Sequence, residues 1–363
     1  MKQLVKSIMS EFDVKVHDEK LYTSLFLNPS LHFGEAYMDG LWDCDHLDAL
    51  FEKVCALQLE KKAPKSLQTL SAIFNTIFNM QTKLRSKKVA QVHYNLGNDL
   101  YEAMLGSTMA YTCGYWKIAK TLDQAQRDKY HLICRKANIQ KGDKVLDLGC
   151  GFGGFARYAA ENYGCEVVGV NISTEQVKYA REICKDFPVT IHQCDYRDDK
   201  TFNPNQIKFD KVISIGLCEH IGYKNYREFL EIVSRNLKDN GLFILHTIGG
   251  NESKKSCDPW INKYIFPNGI IPSIPQLSTA SEGLFIMEDW HNFGADYDKT
   301  LLAWFENFEK NWPELQSKYG DKFYRMWKYY LLSCAGGFRS RSIQLWQVVL
   351  SKNGVRGGYR SIR

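Results

Sequence analysis

Ten residues in the middle of the chain, VLDLGCGFGG from Val145 to Gly154, constrain the fold more than any other feature. The apolar run ends at Gly149, Gly151, Gly153 and Gly154. Glycine lets a chain leave a strand in a sharp turn and lets a ligand approach the backbone closely. A helical pattern follows at once, over Phe155–Asn162. Strand, glycine turn and helix together are the opening unit of a nucleotide-binding α/β sheet.

The same rhythm continues on both sides. Strands are expected at Lys144–Leu148, Glu166–Asn171, Val189–Cys194, Phe209–Ile215 and Leu242–Thr247. Helices are expected at Asp123–Asn138, Thr174–Lys185 and Tyr226–Leu237. An irregular Pro-rich stretch, Asp258–Pro275, comes next. A strand at Leu284–Trp290, two helices and a last strand at Gln344–Ser351 complete the chain. Alternation of this kind makes a mostly parallel sheet covered by helices on both faces. Residues 1 to about 88 differ: they read as mostly helical, broken at Pro29, Gly34, Gly40 and Pro64. The expected organisation is therefore a helical N-terminal domain, 1–88, and a catalytic domain, 89–363.

Charge is unevenly spread. The run from Lys61 to Asn98 holds seven basic residues and no acid, and Gly336–Arg363 holds six basic residues and no acid, equal to the net charge of +6. Such blocks suit a polyanionic partner, a membrane surface or a nucleic acid. For the last few residues a solvated, frayed tail is the expectation. Within Ser66–Lys88 the apolar residues Leu67, Leu70, Phe74, Ile77 and Leu84 form one helix face. That face fits a membrane-surface helix or a helix packed on its own domain. The N-terminus lacks a secretory h-region and no apolar stretch is long enough to span a bilayer, so any membrane contact is expected to be peripheral, from the cytoplasmic side. The 11 cysteines are scattered without a C-x-x-C pair, which argues against a disulfide framework and a zinc site.

Two features favour S-adenosylmethionine (SAM) over a dinucleotide at the glycine turn. The motif lies mid-chain, and Asp147 sits on the strand just before Gly149 and Gly151. Asn171, at the end of the second strand, stands where many SAM enzymes carry an acid for the ribose; its amide can still accept and donate. Asp195, closing the third strand beside Tyr196, is placed to accept the adenine amino group, or is a turn residue. Ligands of open α/β sheets bind at the carboxyl ends of the strands, where all of these collect. Glu219 follows the fourth strand and His246 lies on the fifth. Side by side they read as a general base and its positioning group, or equally as a satisfied structural pair.

A longer series of blocks resembles one family. HYNLGNDLYEAML (His93–Leu105), STMAYTCGYW (Ser107–Trp116), VLDLGCGFGG, VVGVNIS (Val167–Ser173), CEHIGYKNY (Cys218–Tyr226), LHTIG (Leu245–Gly249), DPWINKYIFPNG (Asp258–Gly269), EDWHNFGADYDKTL (Glu288–Leu301) and RSIQLWQVV (Arg341–Val349) are similar, in order, to cyclopropane-fatty-acyl-phospholipid synthases. GEAYMDGLWDCDHLD (Gly34–Asp48) resembles their N-terminal domain. Gly114 and Phe152 depart from the family's usual Ala and Trp. The resemblance implies a SAM-dependent methyltransferase (Rossmann-like) α/β fold with a seven-stranded, mostly parallel sheet, plus the small helical domain. It implies transfer of a methylene group to the cis double bond of phospholipid acyl chains. It implies a bicarbonate base held by the side chains of Glu219, His246 and Tyr297 and the backbone of Cys113 and Ile248. It places Tyr111, Thr112, Ile172 and Gln176 with Asp147, Asn171, Asp195 and Tyr196 around SAM. It further implies a homodimer at the inner membrane face, with no metal and no nucleic acid. Cys113 is read as a positioning residue because the alkene itself is the nucleophile. A methyl-branching or N-methylating enzyme, a nucleic-acid methyltransferase and a non-catalytic lipid binder are the competing readings. Against the second, no RNA- or DNA-binding module is recognisable.

Overall fold

The computed structural model describes residues 2–24, 28–58 and 97–363. The amphipathic face expected over Ser66–Lys88 and the first four residues of the HYNLGNDLYEAML block lie outside the described residues.

Seven strands form the central sheet: β1 Lys144–Leu148, β2 Glu166–Asn171, β3 Val189–Gln193, β4 Phe209–Ile215, β5 Leu237–Gly250, β6 Ile286–Asn292 and β7 Ile343–Ser351. Their order is β3-β2-β1-β4-β5-β7-β6, and only β7 runs against its neighbours. The chain moves outward from β1 to β3 on one side and resumes at β4 on the other. This leaves a crevice at the carboxyl ends of β1 and β4. After its first residue β1 is wholly buried, which explains why it reads as a continuous apolar run broken only by Asp147. These are the architecture and strand order expected of the methyltransferase fold, with strand limits displaced by a few residues.

In the N-terminal part, α1 (Pro29–Met38) and α2 (Leu47–Ala56) follow a short helix, Lys2–Glu11, and a two-stranded ladder pairs Lys15–Val16 with Trp42–Asp43. The sheet is flanked by α3 (Leu122–Ala137), α4 (Gly154–Tyr163), α5 (Thr174–Cys184) and α6 (Tyr226–Asn236). Local chemistry marks their ends. The Thr121 side chain accepts from the Gln124 amide at the start of α3, Asn138 closes it in the left-handed conformation, and Ser173 caps α5. The Pro-rich stretch is less irregular than expected: Asp258 accepts from the Trp260 and Ile261 amides and starts a helix over Pro259–Tyr264.

The last helical element, α7 (Ala295–Arg339), is a hairpin. Gly320, at φ 73° and ψ 165°, breaks it into two arms, the two helices expected from the sequence. Rings far apart in the chain meet across the arms: Phe308 lies on Tyr324 (centroids 5.8 Å apart) and Tyr297 stacks on Phe338 (4.4 Å). The hairpin shares one apolar core with the N-terminal part, through Trp42, Tyr37, Leu47 and Leu50 on one side and Trp327, Tyr329 and Tyr330 on the other. Gly336 touches the backbone of Asp48, Phe51 and Glu52 so closely that a Cβ would clash. Next to it, Arg339 pairs with Asp298, Asp48 and Glu52 at 2.9, 2.8 and 3.5 Å.

The frayed C-terminal tail expected above is corrected by the structure. Arg363 forms a two-pronged ion pair with Asp289, Ser361 donates to the same carboxylate, and the Tyr359 hydroxyl donates to the Lys136 carbonyl. A nearly buried Asp289 offers a partner that a local reading of the tail could not see. No helix among the described residues is long and apolar enough to cross a membrane. All 11 cysteines are free, and no cluster that could hold a metal ion is found among the described residues.

Candidate active site

The glycine turn at the end of β1 has the conformation its composition demanded. Gly149, Gly151 and Gly153 have φ of 81°, 54° and 82°. A Cβ on Gly153 would stand 2.9 Å from that of Ala180, so this glycine lets α4 approach α5. Gly151 differs: a Cβ there meets no protein atom within 4 Å. Asp147 is buried, and neither carboxylate oxygen has a hydrogen-bond partner among the described residues. Burial pushes its pKa up to about 7. A buried carboxylate with idle acceptors beside an open glycine turn fits the ammonium of SAM.

Asn171 ties the second strand to this turn. Its amide donates to the Gly151 carbonyl (3.1 Å) and to Gln176 Oε1 (2.8 Å), and its oxygen accepts from the Ser173 amide. Ile172, between them, is half-buried. Asn171 and Gln176 therefore shape the turn in addition to any contact with a ribose. Asp195 holds a partner the sequence reading did not foresee. Arg197 grips it with Nε on Oδ1 and Nη2 on Oδ2, both at 2.7 Å, and both side chains are buried. Tyr196 packs edge-on against Phe229 in the sheet core. Tyr111 and Thr112 link the α7 hairpin to the end of β4. The Tyr111 hydroxyl donates to that of Tyr330 at 3.0 Å, and a Cβ on Gly216, just after β4, would meet the Thr112 methyl at 2.7 Å.

The reacting end is built around β4 and β5. Glu219 lies on the short helix Cys218–Ile221 that follows β4. Its Oε1 accepts the Ile248 amide of β5 at 2.6 Å, while the buried Oε2 has no partner among the described residues. Burial raises its pKa to about 7 against the lowering pull of that amide. The Ile248 N–H is thus already engaged by Glu219. His246, two residues earlier on β5, is also buried, and its Nε2 has no partner among the described residues. Burial, then the ammonium groups of Lys129 and Lys136, holds its pKa well below the ordinary value. Tyr297, at the start of the hairpin, lies within electrostatic reach of Glu219 and Cys113, and burial keeps its hydroxyl protonated. Burial likewise pushes the Cys113 thiol well up, and Sγ donates to the Gly114 carbonyl. A neutral, bonded thiol is a poor nucleophile. His220 packs edge-on against Phe266, and burial lowers it to about 4.

Lys129, Lys136 and Gln347 were missed. Both lysines are fully buried on the face of α3 that carries Gln126 and Ile133, and α3 packs on β5. Lys129 donates to Thr112 Oγ1 (2.8 Å) and Gln126 Oε1 (2.7 Å); Lys136 meets His291 Nδ1 at 2.9 Å. Burial lowers both to about 7. A signal existed: polar residues at i, i+3 and i+10 on an otherwise apolar stripe.

Comparison with known proteins decides the family. Residues 81–348 match the family described as mycolic acid cyclopropane synthetase. The chain belongs to this family. It is therefore an enzyme of the SAM-dependent methyltransferase class. Over 352 residues it is 49% identical to the cyclopropane-fatty-acyl-phospholipid synthase of Escherichia coli, covering 97% of this chain and 90% of that one. Among solved structures, the cyclopropane synthase MmaA2 from Mycobacterium tuberculosis is 26% identical with a TM-score of 0.67, covering 73% of this chain and 98% of that one. The mycolic acid cyclopropane synthase CmaA1, in complex with SAH and CTAB, is similar at 27% identity, the same TM-score and the same coverage.

Proposed function

We propose that this enzyme transfers the SAM methyl carbon to the cis double bond of an unsaturated acyl chain in a membrane phospholipid and closes the cyclopropane ring with bicarbonate as the base. One observation carries the reading. Two buried polar atoms on neighbouring elements, Glu219 Oε2 and His246 Nε2, have no protein partner among the described residues, although orphaned polar atoms are rare in folded proteins. They fit a small oxyanion.

When bound, SAM supplies an electrophilic methyl group and bicarbonate supplies a compact proton acceptor. The chain's own residues do the rest. Asp147 accepts from the amino-acid end of SAM and the glycine turn admits it. Glu219, with its pKa near 7, keeps a proton on Oε2 and donates it to the oxyanion, so two bare anions do not meet. The Tyr297 hydroxyl, protonated at any working pH, is a second donor. Tyr101, Tyr111, Phe152, Phe266 and Trp304 form a connected aromatic wall. Such a wall excludes water and turns ring faces toward the positive charge that develops on the alkene carbon. An isolated alkene is a weak nucleophile, so alignment and dryness supply most of the acceleration. The basic run from Lys61 to Asn98 supports a peripheral site of action on the cytoplasmic membrane face. The resemblance supports a homodimer.

The test is incubation with SAM and unsaturated phospholipid vesicles, with and without bicarbonate, followed by mass spectrometry of the acyl chains. Gain of one CH₂ with loss of the double bond, slowed when bicarbonate is removed, is expected. A methyl branch with the olefin retained, or a methylated amine, would replace the proposed product. Turnover indifferent to bicarbonate would remove it as the base.

A further inference from the structure

Gln347 is fully buried in the middle of β7, a strand otherwise apolar from Leu345 to Leu350 apart from this one side chain. An amide in that setting needs a reason. The register supplies one. Gln347 stands directly opposite His246 on β5 and directly opposite His291 on β6. Directly opposed residues share a face of the sheet, so the three side chains form a polar row across β5, β7 and β6. Within it, Gln347 Nε2 approaches His246 Nδ1 at 3.2 Å. The amide stands with Nε2 toward the ring and Oε1 without a partner among the described residues; in that orientation Nδ1 is the acceptor and the single proton of the neutral ring sits on Nε2. Nε2 is the atom left without a protein partner among the described residues.

We infer that Gln347 is a positioning residue that fixes His246 as the Nε2–H tautomer, so that His246 enters the reaction as a hydrogen-bond donor and not as the proton acceptor. The buried ammonium groups of Lys129 and Lys136, on the helix covering this face, act in the same direction by opposing a second proton on the ring. Glu219 is tied through Oε1 to the Ile248 amide, two residues along β5 from His246. His291, across Gln347, is held by Lys136. Burial and the two ammonium groups favour a neutral imidazole, and the Gln347 contact turns its N–H into the site. The inference rests on the proposed role of His246 for its effect on rate, but not for the tautomer itself.

The tautomer is measured on the full chain without substrate, by long-range ¹H–¹⁵N correlation of histidine-labelled protein, with His246→Gln assigning the signal. An Nε2–H pattern is expected in the wild type. Gln347→Glu, the same shape with acceptors only once its carboxyl is ionised, should move the proton to Nδ1 in spectra taken above the pH of that ionisation, and Gln347→Leu should release the preference. Both should lower kcat by about 10²-fold, as loss of one oxyanion donor does, with SAM affinity near that of the wild type. An Nδ1–H pattern in the wild type overturns the inference. So does an unchanged pattern in Gln347→Glu, the variant that carries the test if Gln347→Leu does not fold. The expected tautomer shift with unaltered kcat would leave the tautomer assignment standing and would instead remove His246 from the reaction.

Discussion

Glu219 Oε1 accepts the backbone N–H of Ile248 at 2.6 Å, so one oxygen of this carboxyl is fixed by β5 and the other is aimed into the site with no partner among the described residues. Fixing one oxygen sets the direction of the other. Glu219→Gln keeps the shape but loses the transferable proton. It should retain SAM affinity and lose about 10²-fold or more in turnover. Calorimetry with SAM and a vesicle assay with bicarbonate check the two halves. Equal turnover in the two proteins removes Glu219 from the chemistry.

Asp147 gives a pH signature. Burial raises its pKa to about 7, and a cationic ligand is held by the ionised form. SAM affinity should therefore rise as pH climbs through 7 and level off above it. Asp147→Asn should weaken binding and flatten the curve. Titration calorimetry between pH 6 and 8, on the order of one unit either side of that midpoint, measures both.

Asp195 holds Arg197 and is proposed to receive the adenine amino group, and the two roles can be separated. Asp195→Ala strips the partner from buried Arg197 and should cost about 3–5 kcal/mol of stability, the usual penalty for breaking a buried pair. Adding Arg197→Met should restore part of that stability. If Asp195 also receives the adenine amino group, SAM affinity stays weak in the double variant. Denaturant melts and calorimetry on the same preparations distinguish the two effects.

Lys129 should limit stability in a pH-dependent way. Its folded pKa, about 7, lies below its unfolded value of 10.5. The unfolded chain therefore binds more protons between these values, and stability lost to the buried charge is regained as pH rises from 7 to 10.5. Lys129→Met should stabilise by about 1–4 kcal/mol below pH 7. The advantage should shrink toward pH 10.5, and turnover should fall. A gain independent of pH would mean that the charge is not the cause.

The glycines of the turn should answer differently. Gly153→Ala forces a Cβ against Ala180 and should cost about 1–3 kcal/mol. Gly151→Ala meets no protein atom and should cost about 1 kcal/mol, while lowering SAM affinity. Thermal melts with and without SAM separate the two glycines.

The sheet was legible because its signals are local. Buried parallel strands read as apolar runs, and the helices between them carry their own apolar period. The family resemblance supplied Tyr297, which no neighbouring residue would have singled out. What stayed hidden depends on contacts between distant segments. Arg197 was passed over because an exposed arginine two residues after an aspartate is unremarkable until both are buried. Gln347 looked like one polar residue in an apolar strand; only the antiparallel register puts it opposite His246. The docking of Arg363 on Asp289 joins residues 74 apart in the chain. Lys129 and Lys136 were visible on the apolar stripe of α3, but a helix wheel does not say what lies beneath it.

The hairpin of α7 has no apolar floor of its own. Tyr329 rests against Trp260, Tyr37 and Trp42, with centroids 4.5, 5.6 and 6.5 Å away. Those rings come from two separate stretches of chain, one of them N-terminal to the sheet by about a hundred residues. Heating that loosens α1 and α2 thus strips the support from the arm that presents Phe338 to Tyr297. Calorimetric unfolding should show these parts of the molecule giving way in a single cooperative step, with activity vanishing at the same temperature.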